Sequence, residues 1–182
     1  MFNQAFFEEI IMSNVMLKNY SWALKLATKQ PSETLQELEG KLEGVLDHLE
    51  RDWQPRSTEY GFDPIHRGYV IKSNSRGKLL QALDLAKKSL QPLSFEDAQK
   101  QLRVLYSVQA RVGENISVEK KAKQMALLLG DIPADLLVYA VKTNAKQQKF
   151  WATYAELWEL VVFKLEIRQS LLKTIENKLN NL

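Results

Sequence analysis

Residues 54–75, QPRSTEYGFDPIHRGYVIKSNS, decide how the rest of the chain is read. The stretch holds two prolines, two glycines and five Ser, Thr or Asn residues, and the helical spacing of apolar residues stops inside it. Its turn chemistry predicts a loop. A structureless loop of about 20 residues is unusual within a compact domain. It is therefore a linker, a mobile functional loop, or the host of a short strand at residues 68–72. A linker between two helical parts is the preferred reading.

Upstream, residues 2–29 carry a broad apolar helical pattern that Pro31 ends, because proline lacks a donor and biases the preceding residue away from helix. A second helix is expected to run to Trp53. Leu35, Leu38, Leu42, Val45, Leu46, Leu49 and Trp53 recur at spacings of 3, 4, 3, 1, 3 and 4, which is one helical face. Thr34 with Glu37 forms its capping box, or Ser32 is the cap instead. Residues 1–53 thus read as an N-terminal helical pair.

Downstream, Leu79, Leu80, Leu83, Leu85, Ala86 and Leu90 mark a helix that ends before Pro92. Ser94 with Asp97 caps a helix over 95–112, which Gly113 closes. Ser117 caps another through Leu129, and Gly130 stops it. Pro133 opens the next in its first turn, with Leu136, Leu137, Ala140 and Val141 facing inward. Thr153 with Glu156 begins a last helix from Tyr154 to about Asn180, ~40 Å long at 1.5 Å per residue. The expected fold class is all-α: a multi-helix bundle with an N-terminal helical pair (1–53), a long central loop or linker (54–75) and a C-terminal helical domain (76–182) ending in a long helix.

Composition narrows the function classes. The 182 residues include no cysteine, which excludes a disulfide scaffold, a thiol nucleophile and a Cys-based zinc site. No apolar run reaches the ~18–20 residues of a membrane span, and the N-terminus shows no signal-peptide pattern. A cytoplasmic protein, in a bacterial cell or a phage-infected host, is expected. The tempting phosphate cradle, Arg76-Gly77-Lys78, has Lys72 where a Walker A motif needs its first glycine, and Leu79 where it needs Ser or Thr. His48 and His66 have no second histidine at metal-ligand spacing. No catalytic residue, cofactor or metal site is expected, and the chain reads as a non-enzyme.

Charge is unevenly placed. Residues 1–60 hold six basic and ten acidic side chains, whereas residues 61–150 hold fifteen basic and eight acidic. The basic stretch 66–88 contains Arg67, Lys72, Arg76, Lys78, Lys87 and Lys88 against Asp84 alone. These cations are either a solvated loop and helix face or a phosphate-binding set for DNA.

Two further patterns stand out. Phe150, Trp151, Tyr154 and Trp158 place four rings in nine residues. They either seal a helix corner or form a partner-binding surface, since Trp and Tyr dominate interface hot spots. The last helix carries Leu157, Val161, Arg168, Leu172, Ile175, Leu179 and Leu182 at near-heptad spacing. Leu172, Ile175 and Leu179 either pack on the chain's own helices or make a homo-oligomer contact.

The layout of residues 76–182 carries a resemblance. A helix closes on Leu90-Gln91-Pro92 and Leu102 precedes Leu105 by three. Next comes Ala126-Leu-Leu-Leu129-Gly130-Asp131-Ile132-Pro133-Ala134-Asp135-Leu136-Leu137, and the block closes on Lys149-Phe150-Trp151-Ala-Thr-Tyr-Ala155-Glu156-Leu157. This resembles small helical proteins of phage and prophage replication modules. It is distantly similar to the ATPase-free phage helicase loader-and-inhibitor family, with Ala152-Thr153 standing where those proteins carry a proline-containing turn. The resemblance implies a non-enzymatic adaptor that binds a replicative helicase or an initiator, and it transfers no catalytic residue. Direct DNA binding and a structural homo-oligomer are the alternatives.

Overall fold

The computed structural model describes residues 32–58, 61–111 and 115–182, and the side chains among these other than 55–67. The helix expected over 2–29 and the cap expected at Gly113 lie outside them. Along the chain run α1 (Leu35–Val45), β1 (Leu49–Thr58), β2 (Gly61–Ile71), α2 (Arg76–Ser89), α3 (Phe95–Val108), α4 (Val118–Leu128), α5 (Ala134–Gln147), α6 (Tyr154–Glu159) and α7 (Val162–Asn180). The protein is mostly helical, and the all-α expectation is corrected by one two-stranded sheet.

Helix starts follow local chemistry. The hydroxyls of Thr34, Ser75, Ser94, Ser117 and Thr153 each accept a backbone N–H three residues on, satisfying a donor the helix leaves orphaned. Thr34 with Glu37 and Thr153 with Glu156 complete reciprocal capping boxes. Pro133 occupies the N-cap of α5.

The chain divides into two compact units. Among the described residues, a hairpin unit comprises those up to Pro92 and Val161–Leu182, and a helical unit comprises those of Leu93–Leu160. This partition differs from the one expected from sequence, because α2 packs with α7 and α1.

Residues 54–75 are not a linker. β1 and β2 pair antiparallel from Leu49 opposite Ile71 to Thr58 opposite Gly61. The second expected helix accordingly stops at Val45, and Leu49 and Trp53 belong to β1. Leu46 already has an extended backbone (φ −87°, ψ 149°), and beyond it the pairing with β2 outweighs a helical pattern that was only locally consistent. Pro55 lies opposite Pro64. Facing prolines suit a ladder only at a non-hydrogen-bonded pair, where neither N–H would point at the partner strand. A two-stranded sheet consists wholly of edges that tolerate them. Register slips by one residue where Asp52 pairs with Gly68 and Trp53 with His66, leaving Arg67 as the extra residue of a bulge. At Gly68 φ is +157°, and an added Cβ would lie 3.3 Å from Ser170 Oγ on α7, so the bulge brings backbone against that helix.

Glu39 on α1 fastens both strands. Arg51 of β1 donates through Nε to its Oε1 (2.7 Å) and through an Nη to its Oε2 (2.6 Å), a bidentate pair. Tyr69 of β2 donates its hydroxyl to Oε1 at 2.6 Å. Arg51 also lies over the Trp53 ring, 5.9 Å from its centroid. Below this clamp, Tyr69 and Ile71 join Leu38, Leu42, Leu79 and Leu171 in one apolar core.

The last helix is two helices. α6 ends at Glu159 and α7 begins at Val162, with Val161 at φ −116° between them. Two consecutive β-branched valines make this a weak place to continue a helix, and the halves belong to different units. In α7, Ile167, Leu171 and Ile175 are core residues. Arg168 is buried and donates to the Ser89 carbonyl at 2.7 Å, so a cation meets the free carbonyls at the C-terminus of α2.

Burial, then the hydrogen bond to Glu39, pushes the Tyr69 hydroxyl well above its ordinary value of 10.0. A raised folded-state pKa contributes stability that is complete below the unfolded value and is lost as pH rises through the folded one. The hairpin unit should therefore weaken in urea titrations as pH climbs above 10. Tyr69→Phe should lose that part of the slope and be less stable at neutral pH by about 1–3 kcal/mol. Parallel pH profiles for the two proteins would refute the clamp's role.

Candidate partner-binding surface

The aromatic corner is built from the chain's exit from α5. Gln148 caps that helix with an extended backbone (φ −115°, ψ 136°) and sends residues 149–151 alongside Ala110. The Ala110 N–H donates to the Lys149 carbonyl (2.7 Å) and the Trp151 N–H donates to the Ala110 carbonyl (3.0 Å), forming an isolated parallel bridge. α3 therefore ends at Val108, earlier than its apolar pattern suggested, so that Gln109 and Ala110 can pair with this segment.

Buried polar groups hold the corner. Gln109 donates to Asn144 Oδ1 (2.7 Å) and to the Gln148 carbonyl (3.4 Å), and its own Oε1 accepts the Ala152 N–H (3.1 Å). Tyr106 donates its hydroxyl to the Ala152 carbonyl (3.0 Å), and Trp151 Nε1 donates to the Tyr106 carbonyl (2.8 Å). These bonds satisfy backbone groups that would be costly to bury unpaired.

The four rings do not form a single cluster. Trp151 is half-buried, with Tyr106 edge-on at 5.6 Å and the Arg111 guanidinium 5.9 Å from its centroid. Tyr154 and Trp158 stack on each other at 5.8 Å and 14°. Phe150 is 56% exposed and has no ring partner among the described residues, and Tyr154 is 39% exposed. The corner thus divides the two roles considered for it. Trp151 braces the fold, Phe150 and Tyr154 face solvent, and Leu157 roots α6 in the core.

The other residues singled out from sequence lie in the hairpin unit. Lys72 follows β2, Arg67 is the bulge residue, Arg76 and Lys78 open α2, and Lys87 and Lys88 close it. At 1.5 Å per residue the helix separates its two cationic ends by about 18 Å. Lys78 pairs with Asp47, and Lys88 with Asp84 at 2.7 Å. The Lys78 bond, followed by one from Ser73, holds the Asp47 carboxyl below its usual range. The cations are therefore dispersed and partly neutralised. Ile175 is fully buried, and Leu172 and Leu179 pack against the same core, so the near-heptad seam faces its own unit.

Sequence reading missed several features. Glu39, Arg51 and Tyr69, with Glu43 and Leu49, line a cavity of about 110 Å³. The Gln109 network and the buried Arg168 left no periodic signal. Leu127 and Leu128, 68% and 61% exposed, were read only as part of a helix. Among the described residues, no three His, Cys, Asp or Glu side chains gather as a metal site, and no helix is long and apolar enough to cross a membrane.

No family model, curated protein or solved structure matches the chain.

Removing the Gln109 side chain should loosen the corner from beneath. Gln109→Ala strands the Ala152 N–H and the Asn144 carbonyl oxygen, at a cost of about 1–3 kcal/mol for each buried group. Denaturant unfolding followed by tryptophan emission should register this loss. An unchanged midpoint would mean that the network does not support the surface.

Proposed function

We propose that the protein is a non-enzymatic helical adaptor that engages replication machinery, a replicative helicase or an initiator, through the surface at 150–158. The observation that carries this reading is Phe150, a large apolar ring more than half exposed, set on a support of buried hydrogen bonds. Exposed rings on rigid backbone suit partner binding, because little conformational freedom is lost on docking. Tyr154 adds a second exposed ring on a capped helix.

The kind of partner comes from the resemblance of residues 76–182 to phage and prophage replication proteins. Direct DNA binding through the 66–88 cations draws less support, given their separation along α2 and their acidic partners. A homo-oligomer built on Leu172, Ile175 and Leu179 would require side chains already engaged in the core.

Tagged full-length protein, incubated with a lysate of its source cell in the presence of nuclease, should retain a hexameric helicase or an initiator, identified by mass. Replacing Phe150 and Tyr154 together by alanine should abolish that retention while leaving the far-UV circular dichroism unchanged. Absence of both partners, or retention indifferent to the two substitutions, would overturn the adaptor reading.

A further inference from the structure

The bridge between Ala110 and Phe150 has a second side. In an extended segment, successive residues direct their N–H and C=O groups to opposite edges. The Lys149 carbonyl and the Trp151 N–H both turn toward Ala110. The N–H and C=O of Phe150 therefore point the other way, and neither has a partner in the described structure. Phe150 as a residue is mostly exposed, and no described residue pairs with this edge.

The chain that carries the edge bears charge of one sign. No acidic residue occurs between Asp135 and Glu156, an interval that contains Lys142, Lys146 and Lys149. Lys146 and Lys149 are exposed and have no ion-pair partner among the described residues. Arg111 adds a cation over Trp151, on the segment that pairs with 149–151. The nearest acid downstream, Glu156, is engaged with the backbone and hydroxyl of Thr153.

We propose that residues 149–151 form a strand edge that takes up an extended acidic segment of the partner protein, an inference that rests on the adaptor reading and names the chemistry of its ligand. Main-chain bonds to Phe150 would align the segment, its carboxylates would face Lys146, Lys149 and Arg111, and an apolar residue would cover the Phe150 ring. Single-stranded nucleic acid would meet the same cations but fits less well. A DNA backbone has no donor for the Phe150 carbonyl. Stacking along a strand needs successive free rings, whereas beside Phe150 the Trp151 ring is held by Tyr106 and Arg111, and Tyr154 by Trp158.

The test uses the full chain and a short fluorescent peptide of alternating Glu and Val, followed by anisotropy. A second peptide, N-methylated through its central residues, keeps charge and side chains but loses strand pairing. Expected are saturable binding of the first peptide, weakening of about tenfold or more on N-methylation, and similar weakening when Lys146→Glu and Lys149→Glu are combined. Equal binding of the two peptides overturns the edge, and indifference to the lysine substitutions overturns the acidic ligand. An oligothymidylate of matched charge that binds more tightly than the peptide at the same ionic strength would assign the surface to nucleic acid instead. If the peptide fails while capture of a helicase or initiator still depends on Phe150 and Tyr154, the edge inference falls and the adaptor reading stands. Loss of that capture removes both.

Discussion

The Glu39 carboxylate gathers an arginine from one strand and a tyrosine from the other onto a single turn of α1. A two-stranded hairpin is marginal by itself, and three or more strands or a covering helix are needed to stabilise it. Here the bidentate pair with Arg51 and the bond from Tyr69 set the hairpin's position on the helix, and Tyr69 and Ile71 then add apolar surface to the core. A partly buried ion pair adds little net stability compared with apolar packing, but removing one partner leaves a charge uncompensated. The clamp therefore fixes where the hairpin sits on α1 and is costly to break at any one partner. Gly68 completes the arrangement by letting the bulge approach Ser170 on α7.

Both units apply the same solution to helix ends. In the hairpin unit, α2 ends against the buried guanidinium of Arg168. In the helical unit, α3 and α5 end beside Gln109, whose amide bonds Asn144, Gln148 and Ala152 together. Both side chains are buried and polar, and each makes its bonds at the point where a helix stops supplying its own. That economy lets the chain leave α5 in an extended path and expose Phe150 without leaving buried backbone unpaired. The candidate surface is thus a consequence of how α3 and α5 terminate.

A good part of this was legible in the sequence. Thr34, Ser94, Ser117 and Thr153 mark helix starts because a cap needs only a hydroxyl and a backbone N–H three residues away. Leu38, Leu42, Leu79, Leu102, Leu105 and Leu137 lie on helical faces that proved to be buried. The aromatic corner was also visible as a cluster. Its division into a braced tryptophan and an exposed phenylalanine was not, because that depends on Tyr106, some 45 residues away. Residues 54–75 misled for a physical reason: Pro55 and Pro64 each argue locally against a strand, and they are compatible with one because a two-stranded sheet has only edges, where the missing N–H can face away from the partner.

The sequence by itself determined the helix caps and the inward faces of most helices, because these depend on residue type and on neighbours within one or two turns. Tertiary structure decided that Leu49 and Trp53 extend instead of coil, that Arg168 is buried, and that the chain leaves α5 extended beside Ala110. Each of these choices is made by a partner distant in the chain, whose hydrogen bond or apolar surface outweighs a local preference of less than about 1 kcal/mol per residue.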